Sequence, residues 1–599
     1  MKAALVFPGI TDVGFNSFGD GIDGSWHSHG LMTLGGCLRS TDYGPSVGAA
    51  TGGHETALID LRQLSGWDAY RDRLAEVEPR LVCITMMSCD FNPAVEAGRI
   101  AKEVLPGAHV AVGGAHPSIC PDEVVGRDEF DTVVLGEGEV ALMQLAAALE
   151  AGQAPPARVE GDRPDLDKLP YCDRSLFGPH EVPIAIRGFE PPFMTFIAGR
   201  GCMYNCSFCQ PAERKIFGRK VRRRSPEHFV GELADCYRRY GFNSALIHDD
   251  CLLEDPAWIA EFVELVRREK LDVRFACQGR ADLVCKHPDM IDALKSVGLG
   301  ALIVGFESGS DRVLKFLRKG VTREQNLQAG RILHEKGVAI WANYMFGLPG
   351  ETLEEMQETI TMLQEIAPEH YSPAVYTPHP GSDLFETCRK EGLLMDLSHD
   401  SYRRNVTEQK IRGQDWHMVQ WAVSESTKPP GELTPYSPDY VIHWGDLENA
   451  LSGNGMTEMS LPFHRGRPLH LTGVENCSRG ANAWTFRSTT TDPQLLFDID
   501  PPLHPNRWRY LFVDVEVSAS CRGQFVWWTD KPGVFQATRH FRLPFGRHSF
   551  AFELARLKTY QKQIGSGIAW NDRPVSRLRF DPAESEDIDI ALHRIWVVP

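Results

Sequence analysis

Residues 199–210, GRGCMYNCSFCQ, carry three cysteines in close succession. Cys202, Cys206 and Cys209 follow the spacing Cys-x3-Cys-x2-Cys, and Phe208 stands directly before the third. One interpretation is accidental clustering of buried thiols. Structural zinc is another, although zinc usually takes four ligands as two paired knuckles and no second knuckle follows here. The pattern favours an iron–sulfur cluster, because three thiolates on a four-iron cluster leave one iron open to bind something else.

The composition of the 599-residue chain indicates several folded domains and no membrane segment. Hydrophobic residues make up 42%, and we find no apolar run near the ~18 residues needed to cross a bilayer. The N-terminal MKAALVFPGI is typical of a first strand, since no small-residue cleavage site follows it. A net charge of −17 argues against nucleic acid as a partner. Fifteen cysteines without an export signal indicate reduced thiols and a cytoplasmic location.

The cysteine motif resembles the signature of the radical S-adenosylmethionine superfamily, which has an aromatic residue before its third cysteine. The resemblance implies that Cys202, Cys206 and Cys209 hold a 4Fe-4S cluster. The open iron of such a cluster binds S-adenosylmethionine, and an electron from the cluster cleaves it to a 5′-deoxyadenosyl radical. A reducing partner such as flavodoxin or ferredoxin would supply that electron.

Alternating helix and strand patterns follow the motif, as the partial (βα)6 barrel of that family requires. The segment SPEHFVGELADCYRRYG predicts a helix that begins after Ser225 and stops at Gly241, and Thr322 with Gln325 forms a capping-box pattern. Function in such barrels lies at the carboxyl ends of the strands. Polar residues fall at those predicted ends: His248, Asp249, Asp250, Gln278, Arg280, Glu307, Ser308, Asn343 and Thr377.

The stretches FESGSDRVL, GLPGET and YTPHPGS resemble the cobalamin-linked, cyclase-like branch of the superfamily. In that branch the ExSGS-type strand end contacts S-adenosylmethionine, and the last barrel strand flanks its adenine. The resemblance therefore makes six residues candidates for S-adenosylmethionine binding: Phe208, Arg280, Glu307, Ser308, Asn343 and Thr377.

Residues 1–155 show a separate α/β pattern that predicts a doubly wound sheet, whose ligand crevice lies outside the strand carboxyl ends. The order of GHETALID, VGGAHPS and LGEGE before a DLDKLP linker resembles the cobalamin-binding domain of many radical S-adenosylmethionine enzymes. The Asp-x-His-x-x-Gly motif that ligates cobalt elsewhere is absent. Trp26, His27 or His29 could lie near the cobalamin face instead, or the three could form a turn held by an aromatic side chain. The candidate cobalamin contacts are Gly113, Gly114, Gly136, Glu137 and Gly138.

The remaining chain divides into a linker at 156–192, the barrel at 193–396, a mixed connecting region at 397–455 and a β-rich part at 456–599. Short alternating strands in the last part predict an antiparallel sandwich or jelly roll. It resembles galactose-binding-like carbohydrate-recognition sandwiches. Trp527 and Trp528 must point to opposite faces of a strand, which leaves two interpretations: one is a core residue and the other stacks on a sugar, or both are buried at a core or an interface. Cys477 and Cys521 fit no cofactor motif.

The resemblance implies a cobalamin-dependent methyltransferase that acts on an unactivated carbon or phosphorus of a small or natural-product-type metabolite. Radical cyclisation or rearrangement, as in the anaerobic protoporphyrin ring cyclase, is the alternative enzymatic function. A non-catalytic carbohydrate-binding scaffold is the alternative of another class. The basic run RKIFGRKVRRRS could be an RNA-binding arm, a solvated face, or a set of arginines that meet anionic cofactors.

Overall fold

The computed structural model divides the chain into two compact units, Met1–Tyr436 and Ser437–Pro599. It describes residues 1–10, 15, 27–50, 52–179, 186, 188–209, 214, 216–395, 399–402, 409–428, 433, 435–436, 459–460, 470–479, 483–490, 492–503, 510–529, 535–537, 541–543, 545–553 and 575–598. Among these residues, no helix combines the length and apolarity that a bilayer span requires.

The first unit begins with a sheet of six parallel strands in the order β2-β1-β3-β4-β5-β6. The sheet extends past residue 155, because β6 pairs with β5. Its order reverses between β1 and β3, and doubly wound sheets bind ligands outside such a reversal. The predicted doubly wound fold is therefore confirmed. The strands are β1 (Lys2–Phe7), β2 (Glu55–Asp60), β3 (Leu81–Thr85), β4 (His109–Gly113), β5 (Thr132–Leu135) and β6 (Arg158–Glu160).

Helices cover this sheet, which explains why strands such as β5 are fully buried apolar runs instead of alternating ones. Apolar clusters lie on both faces of the sheet: Ala4 and Val6 of β1 belong to one, and Ala3 and Leu5 belong to the other. The helices are α1 (His29–Arg39), α2 (Tyr43–Ser46), α3 (Trp67–Val77), α4 (Phe91–Val104), α5 (Ala115–Ile119) and α6 (Gly138–Glu150).

A second parallel sheet follows in the order β14-β13-β12-β11-β10-β7, which confirms the predicted partial barrel. A short antiparallel pair, β8 with β9, lies between its first two strands in the chain. The strands are β7 (Phe193–Phe196), β8 (Gly199–Arg200), β9 (Arg222–Arg223), β10 (Ser244–Ile247), β11 (Arg274–Gly279), β12 (Leu299–Glu307), β13 (Ala339–Phe346) and β14 (His370–Val375).

The barrel helices begin at the caps that the sequence predicts. Ser225 accepts a hydrogen bond from the His228 amide, and Thr322 and Gln325 form the complete capping box. A further helix, α15, lies in the region expected to connect the domains, and its Val419 and Ala422 belong to the barrel core. The helices are α7 (Pro226–Tyr240), α8 (Pro256–Glu269), α9 (Ala281–Lys286), α10 (Pro288–Lys295), α11 (Asp311–Phe316), α12 (Arg323–Glu335), α13 (Leu353–Ile366), α14 (Asp383–Lys390) and α15 (Trp416–Glu425).

The second unit contains two antiparallel sheets, as predicted. One has the order β17-β18-β26-β20-β24 with β15 beside β26, and the other has β16-β19-β25-β21-β22 with β23 beside β21. The strands are β15 (Met459–Ser460), β16 (His470–Thr472), β17 (Val474–Arg479), β18 (Trp484–Ser488), β19 (Gln494–Leu503), β20 (Tyr510–Val517), β21 (Cys521–Thr529), β22 (Phe535–Ala537), β23 (Phe541–Leu543), β24 (Gly546–Glu553), β25 (Val575–Asp581) and β26 (Asp589–Val598).

The core of this unit draws alternate side chains from both sheets, including Phe525 and Trp527 of β21. Trp527 is fully buried and Trp528 is half-buried, so the two indoles lie on opposite faces. Cys521 is buried in one sheet and Cys477 is exposed in the other.

We predict that Trp527→Ala destabilises the second unit by about 3–5 kcal/mol, the usual cost of removing a buried aromatic side chain. Trp528→Ala is the matched control and should cost at most about 2 kcal/mol, because its indole is only partly removed from water. Guanidinium unfolding of the two variants measures the difference. Equal losses would contradict this assignment of the core.

Candidate functional site

The three clustered cysteines lie in the loop that follows β8, at the carboxyl end of β7. The loop is held from two sides, because the Ser207 amide donates to the Leu317 carbonyl at 2.9 Å and the Leu384 amide donates to the Ser207 carbonyl at 2.8 Å. Phe208 packs against an apolar cluster that contains Leu317 and Leu384. The aromatic residue before the third cysteine therefore anchors the loop.

The thiols of this loop influence one another. Burial raises the pKa of Cys202 to about 11, and the nearby Cys206 thiol adds to the effect. Burial likewise raises the pKa of Cys209 to about 12, with contributions from Cys206, Cys202 and Asp250. Thiolates are the metal-binding form of cysteine, so this loop favours thiolates only when a metal centre offsets their charge.

Two cationic side chains lie beside the cysteine loop. The Arg280 guanidinium places Nη1 3.9 Å from Cys206 Sγ and lies 3.6 Å from the centre of the Tyr204 ring. Arg280 also donates from Nη2 to the Lys319 carbonyl at 2.5 Å. Burial opposes protonation of Lys319, but Glu307 and the Cys206 thiol outweigh it and raise the pKa of Lys319. The donor set and its cations fit an anionic cluster held by three thiolates.

The other predicted S-adenosylmethionine contacts lie at several places in the barrel. Glu307, at φ 62°, accepts from Lys319 Nζ at 2.9 Å, which joins it to the Arg280 region. Ser308 is fully buried, and its hydroxyl lies 3.1 Å from Thr359 Oγ1 of α13.

The last two of these candidates lie on β13 and just beyond the end of β14. Asn343 is the register partner of Gly305 on β12. Thr377, just after β14, accepts from Lys410 Nζ at 2.9 Å. The geometry thus brings Arg280 and Glu307 together near the cysteines, and it gives Ser308 and Thr377 partners within the fold.

A cavity of about 450 Å³ lies where the carboxyl ends of β3, β4 and β5 face those of β7 and β10. Much of its wall is apolar, including Leu31, Leu34, Val134 and Leu142. Its glycine-rich wall leaves room for a broad ligand to approach the backbone, and Gly114 at φ 113° adopts a conformation that side chains rarely allow. All five predicted cobalamin contacts line it: Gly113, Gly114, Gly136, Glu137 and Gly138.

The structure separates the three residues expected near the cobalamin face. His29 lines the cavity, and its Nε2 lies 2.8 Å from Thr195 Oγ1 of β7. His27 is buried and stacks on Phe177 at 4.8 Å between ring centres. Trp26 lies outside the described residues. His29 is therefore the one of the three that the described structure places on the cavity wall.

Arg200, two residues before Cys202, joins the cysteine loop to the N-terminal sheet. Its Nη1 donates to Glu137 at 2.5 Å and its Nη2 donates to Glu139 at 2.5 Å. Arg222 of the adjacent β9 bonds the other oxygen of Glu137. Burial raises the pKa of Glu137, although Arg200 opposes the shift. One buried carboxylate of the cavity wall thus connects two strands that flank the cysteine motif.

Three consecutive arginines of the basic run pair with carboxylates of the protein. Arg222 pairs with Glu137, Arg223 donates to Glu254 at 3.1 Å, and Arg224 donates to Glu232 at 2.5 Å. Burial disfavours the charge of Glu232, but Arg174 and Arg224 outweigh it and lower its pKa to about 2. These arginines therefore act as internal ion-pair partners, an interpretation that the sequence did not yield.

The structure also shows site residues that the sequence did not single out, chiefly Lys319, Glu139 and Arg200. Arg200 stands next to the motif and could have been noticed there. Lys319 carries no comparable signal, because its approach to Glu307 depends on the turn after α11. The sequence identifies Asp250 only as a strand-end residue. In the structure it lines the cavity, and its charge raises the pKa of Cys202 and of Cys209.

Comparison with known proteins identifies the same two regions. Residues 196–363 match the model of the Radical SAM superfamily, and residues 19–146 match the model of the B12 binding domain. An uncharacterized methyltransferase, PH0819, of Pyrococcus horikoshii is 26% identical over 366 residues, which cover 58% of this chain and 78% of that protein.

The anaerobic magnesium-protoporphyrin IX monomethyl ester cyclase of Rubrivivax gelatinosus is 25% identical over 64% of this chain and 70% of its own length. The solved structure of OxsB, a cobalamin-dependent S-adenosylmethionine radical enzyme with aqua-cobalamin and S-adenosylmethionine bound, has a TM-score of 0.54. It is 16% identical, and the match covers 71% of this chain and 66% of OxsB, which supports the fold.

We predict that the wild-type protein, reconstituted anaerobically, holds about four iron atoms per chain. Cys202→Ala, Cys206→Ala and Cys209→Ala should each remove most of this iron, because each deletes one of three thiolate ligands. Cys285→Ala is the matched control, since its thiol lies outside the motif and donates to the Gln325 carbonyl of α12. Iron and sulfide analysis measures the outcome. Equal iron in wild type and the three variants would end the assignment.

We also predict that Arg200→Met lowers the free energy of unfolding of the first unit by about 3–5 kcal/mol, because it removes the ion pair of buried Glu139 and leaves buried Glu137 with Arg222 alone. The loss should shrink as pH falls from 8 to about 5, because burial raises the pKa of Glu137 and protonation of this carboxyl removes part of the uncompensated charge. Arg158→Met, which breaks an exposed pair with Glu160, is the control and should cost at most about 1 kcal/mol. Denaturant titrations at both pH values test this, and a pH-independent loss would contradict it.

Proposed function

We propose that this chain, a radical S-adenosylmethionine enzyme with a B12-binding domain, is a methyltransferase that acts on an unactivated carbon or phosphorus of a small metabolite. One observation carries the proposal. The cavity is lined on one side by the B12-domain residues Gly113 and Gly136, and on the other by Asp250 and the strand end that leads to the cysteines. A methyl donor and a radical-generating centre would therefore face a common space.

We assign the cofactors to residues whose surroundings fit them. Cys202, Cys206 and Cys209 would hold the 4Fe-4S cluster, and Arg280 and Lys319 would offset its negative charge. Gly113, Gly114, Gly136, Glu137 and Gly138 would line the cobalamin. When bound, the cluster supplies the electron that cleaves S-adenosylmethionine, and the cobalamin supplies the methyl group.

The protein's own contribution is binding, orientation and exclusion of water. The apolar wall around Leu31 and Leu142 would hold the bound groups away from bulk solvent. His248 and Asp250 expose their side chains to the cavity from the end of β10. Desolvation lowers the pKa of His248, so a neutral imidazole is available at pH 7 to hydrogen-bond a polar substrate group. These two residues are our candidates for orienting the substrate.

Radical cyclisation or rearrangement without methyl transfer is the second candidate function. The cyclase relative is as similar in sequence as the methyltransferase relative and matches a comparable share of the chain. The same cysteines, cations and cavity would serve either reaction. Cobalamin in the cavity would favour methyl transfer over cyclisation, because cobalamin supplies the methyl group.

We infer an accessory role for the second unit, namely substrate positioning. Within its described residues no group of His, Cys, Asp or Glu side chains converges as metal ligands would, and Cys477 and Cys521 lie in different sheets. The half-buried Trp528 offers an aromatic surface of the kind that stacks on sugars. A chain that ends at Tyr436 should keep its iron and cleave S-adenosylmethionine while losing turnover of the substrate.

The methyl-transfer proposal is tested with S-adenosylmethionine that carries a trideuteromethyl group. The reconstituted protein, supplied with cobalamin, a reductant and a metabolite extract of the host, should give a product with an intact trideuteromethyl group. Cys206→Ala should abolish it. Deoxyadenosine formation with a transformed but undeuterated product would instead support cyclisation or rearrangement.

A cavity-filling variant tests the cobalamin assignment separately. Gly113 lines the cavity and has room for a Cβ atom, 3.5 Å from Val134, which also lines it, so a bulky side chain there would compete with a ligand for this space. We predict that Gly113→Phe weakens cobalamin binding at least tenfold, a loss of about 1.4 kcal/mol, and leaves the iron content unchanged. Gly107→Phe is the control, since Gly107 lies in a turn with open space around it. Unchanged binding in Gly113→Phe, measured by absorbance, would contradict the assignment.

A further inference from the structure

Three side chains from separate parts of the first unit converge outside the site described above. His116 lies on α5, Glu123 lies in a short helical turn after it, and His399 lies beyond the barrel. One ligand atom from each residue lies within 4.8 Å of the other two. This His–Glu–His group is distinct from the cysteine loop and does not line the cavity.

The environment of His116 points to a missing partner. Its ring is fully buried, and its Nδ1 lies 3.1 Å from Ser88 Oγ. Its Nε2 has no hydrogen-bond partner and lies 3.7 Å from Glu123 Oε2, which is too long for a hydrogen bond. Buried polar atoms are nearly always satisfied. With Nδ1–H donated to Ser88, the Nε2 lone pair faces a carboxylate oxygen, an arrangement that a cation between them would stabilise.

The other two members are positioned for the same cation. His399 Nε2 lies 2.7 Å from Glu123 Oε2. The Phe91 ring stacks on His399 at 4.0 Å between centres and meets His116 edge-on at 5.1 Å. One aromatic side chain therefore fixes both imidazoles, and ligands that are already oriented lose little freedom when an ion binds.

We propose that His116, Glu123 and His399 bind one divalent transition-metal ion, for which Zn²⁺ is the best match. Two imidazoles and a carboxylate suit zinc, whereas magnesium and calcium prefer all-oxygen sites. Tetrahedral zinc with bonds of about 2.1 Å separates its ligand atoms by roughly 3.4 Å, which lies between the two observed separations of 3.7 and 2.7 Å. Binding would therefore replace the His399–Glu123 hydrogen bond and move these two side chains apart by about 0.7 Å. Glu123 is exposed, so a water molecule can take the fourth position.

The ion would have a structural role. His116 stands two residues after Gly114, which lines the cavity, and His399 belongs to the turn His399–Tyr402 that follows the barrel. Binding would fasten this turn to the loop behind the cavity wall. The site is independent of the proposed methyl transfer and can be tested without a substrate.

The test uses the full-length protein, reconstituted with iron, sulfide and cobalamin so that the cysteines are occupied, and then equilibrated with buffered Zn²⁺. We expect about one zinc ion per chain, and zinc X-ray absorption with only nitrogen and oxygen neighbours. His399→Ala and Glu123→Gln change accessible residues and should weaken zinc binding more than about 100-fold, because altering only the partners of metal ligands already costs about 10–100-fold.

Asp122→Asn is the matched control, because it removes a carboxylate next to Glu123 that is not part of the group. It should retain zinc as the wild type does, with circular dichroism confirming that all variants are folded. Absence of zinc from the wild type after equilibration would overturn the proposal. Equal zinc affinity in wild type, His399→Ala and Glu123→Gln would overturn it as well, and so would a zinc shell dominated by sulfur.

Discussion

The ion pairs between Arg200 and the carboxylates of Glu137 and Glu139 are the interaction on which the rest of the site depends. Arg200 belongs to the strand that leads to the cysteines, and the two glutamates begin the helix that follows β5. Both carboxylates are buried, so neither tolerates loss of its partner. The pairing fixes the cysteine loop against the carboxyl edge of the N-terminal sheet, and the cavity lies at that junction.

Two parallel sheets meet at this junction by their carboxyl edges, where each kind of sheet normally binds its ligand. In separate domains these edges would serve separate ligands. Here β4 and β5 supply glycines and β10 supplies His248 and Asp250 to the same cavity. Asp250 lies close enough to Cys202 and Cys209 to raise the pKa of each thiol. A single space is therefore adjacent to both the B12-domain wall and the cysteine loop.

Arginines balance the charge of the buried carboxylates beside the cavity. From the sequence, a run of basic residues would be expected to face solvent. Arg222, Arg223 and Arg224 are consecutive, and each pairs with a different carboxylate from a different element. Glu232 remains ionised in the interior because two guanidinium groups surround it. The acidic net charge of the chain thus coexists with a set of balanced ion pairs beside the cavity.

The sequence alone determined the features that depend on local pattern. The cysteine spacing, the capping box at Thr322, the strand–helix alternation and the alternating strands of the second unit are short-range signals, and the structure contains each of them. The glycines after β4 and β5 were predicted as cavity residues for the same reason, because strand ends of a parallel sheet must meet at one edge.

Only the tertiary structure decided which charged residues pair, where the basic run points, and how His116, Glu123 and His399 come together. Arg200 and Glu137 are 63 positions apart, and Glu123 and His399 are 276 positions apart. Such contacts depend on how whole sheets and loops are arranged, and no local periodicity encodes them. For that reason the cofactors could be predicted from the sequence, whereas the ion pairs that stabilise their site could be identified only in the folded protein.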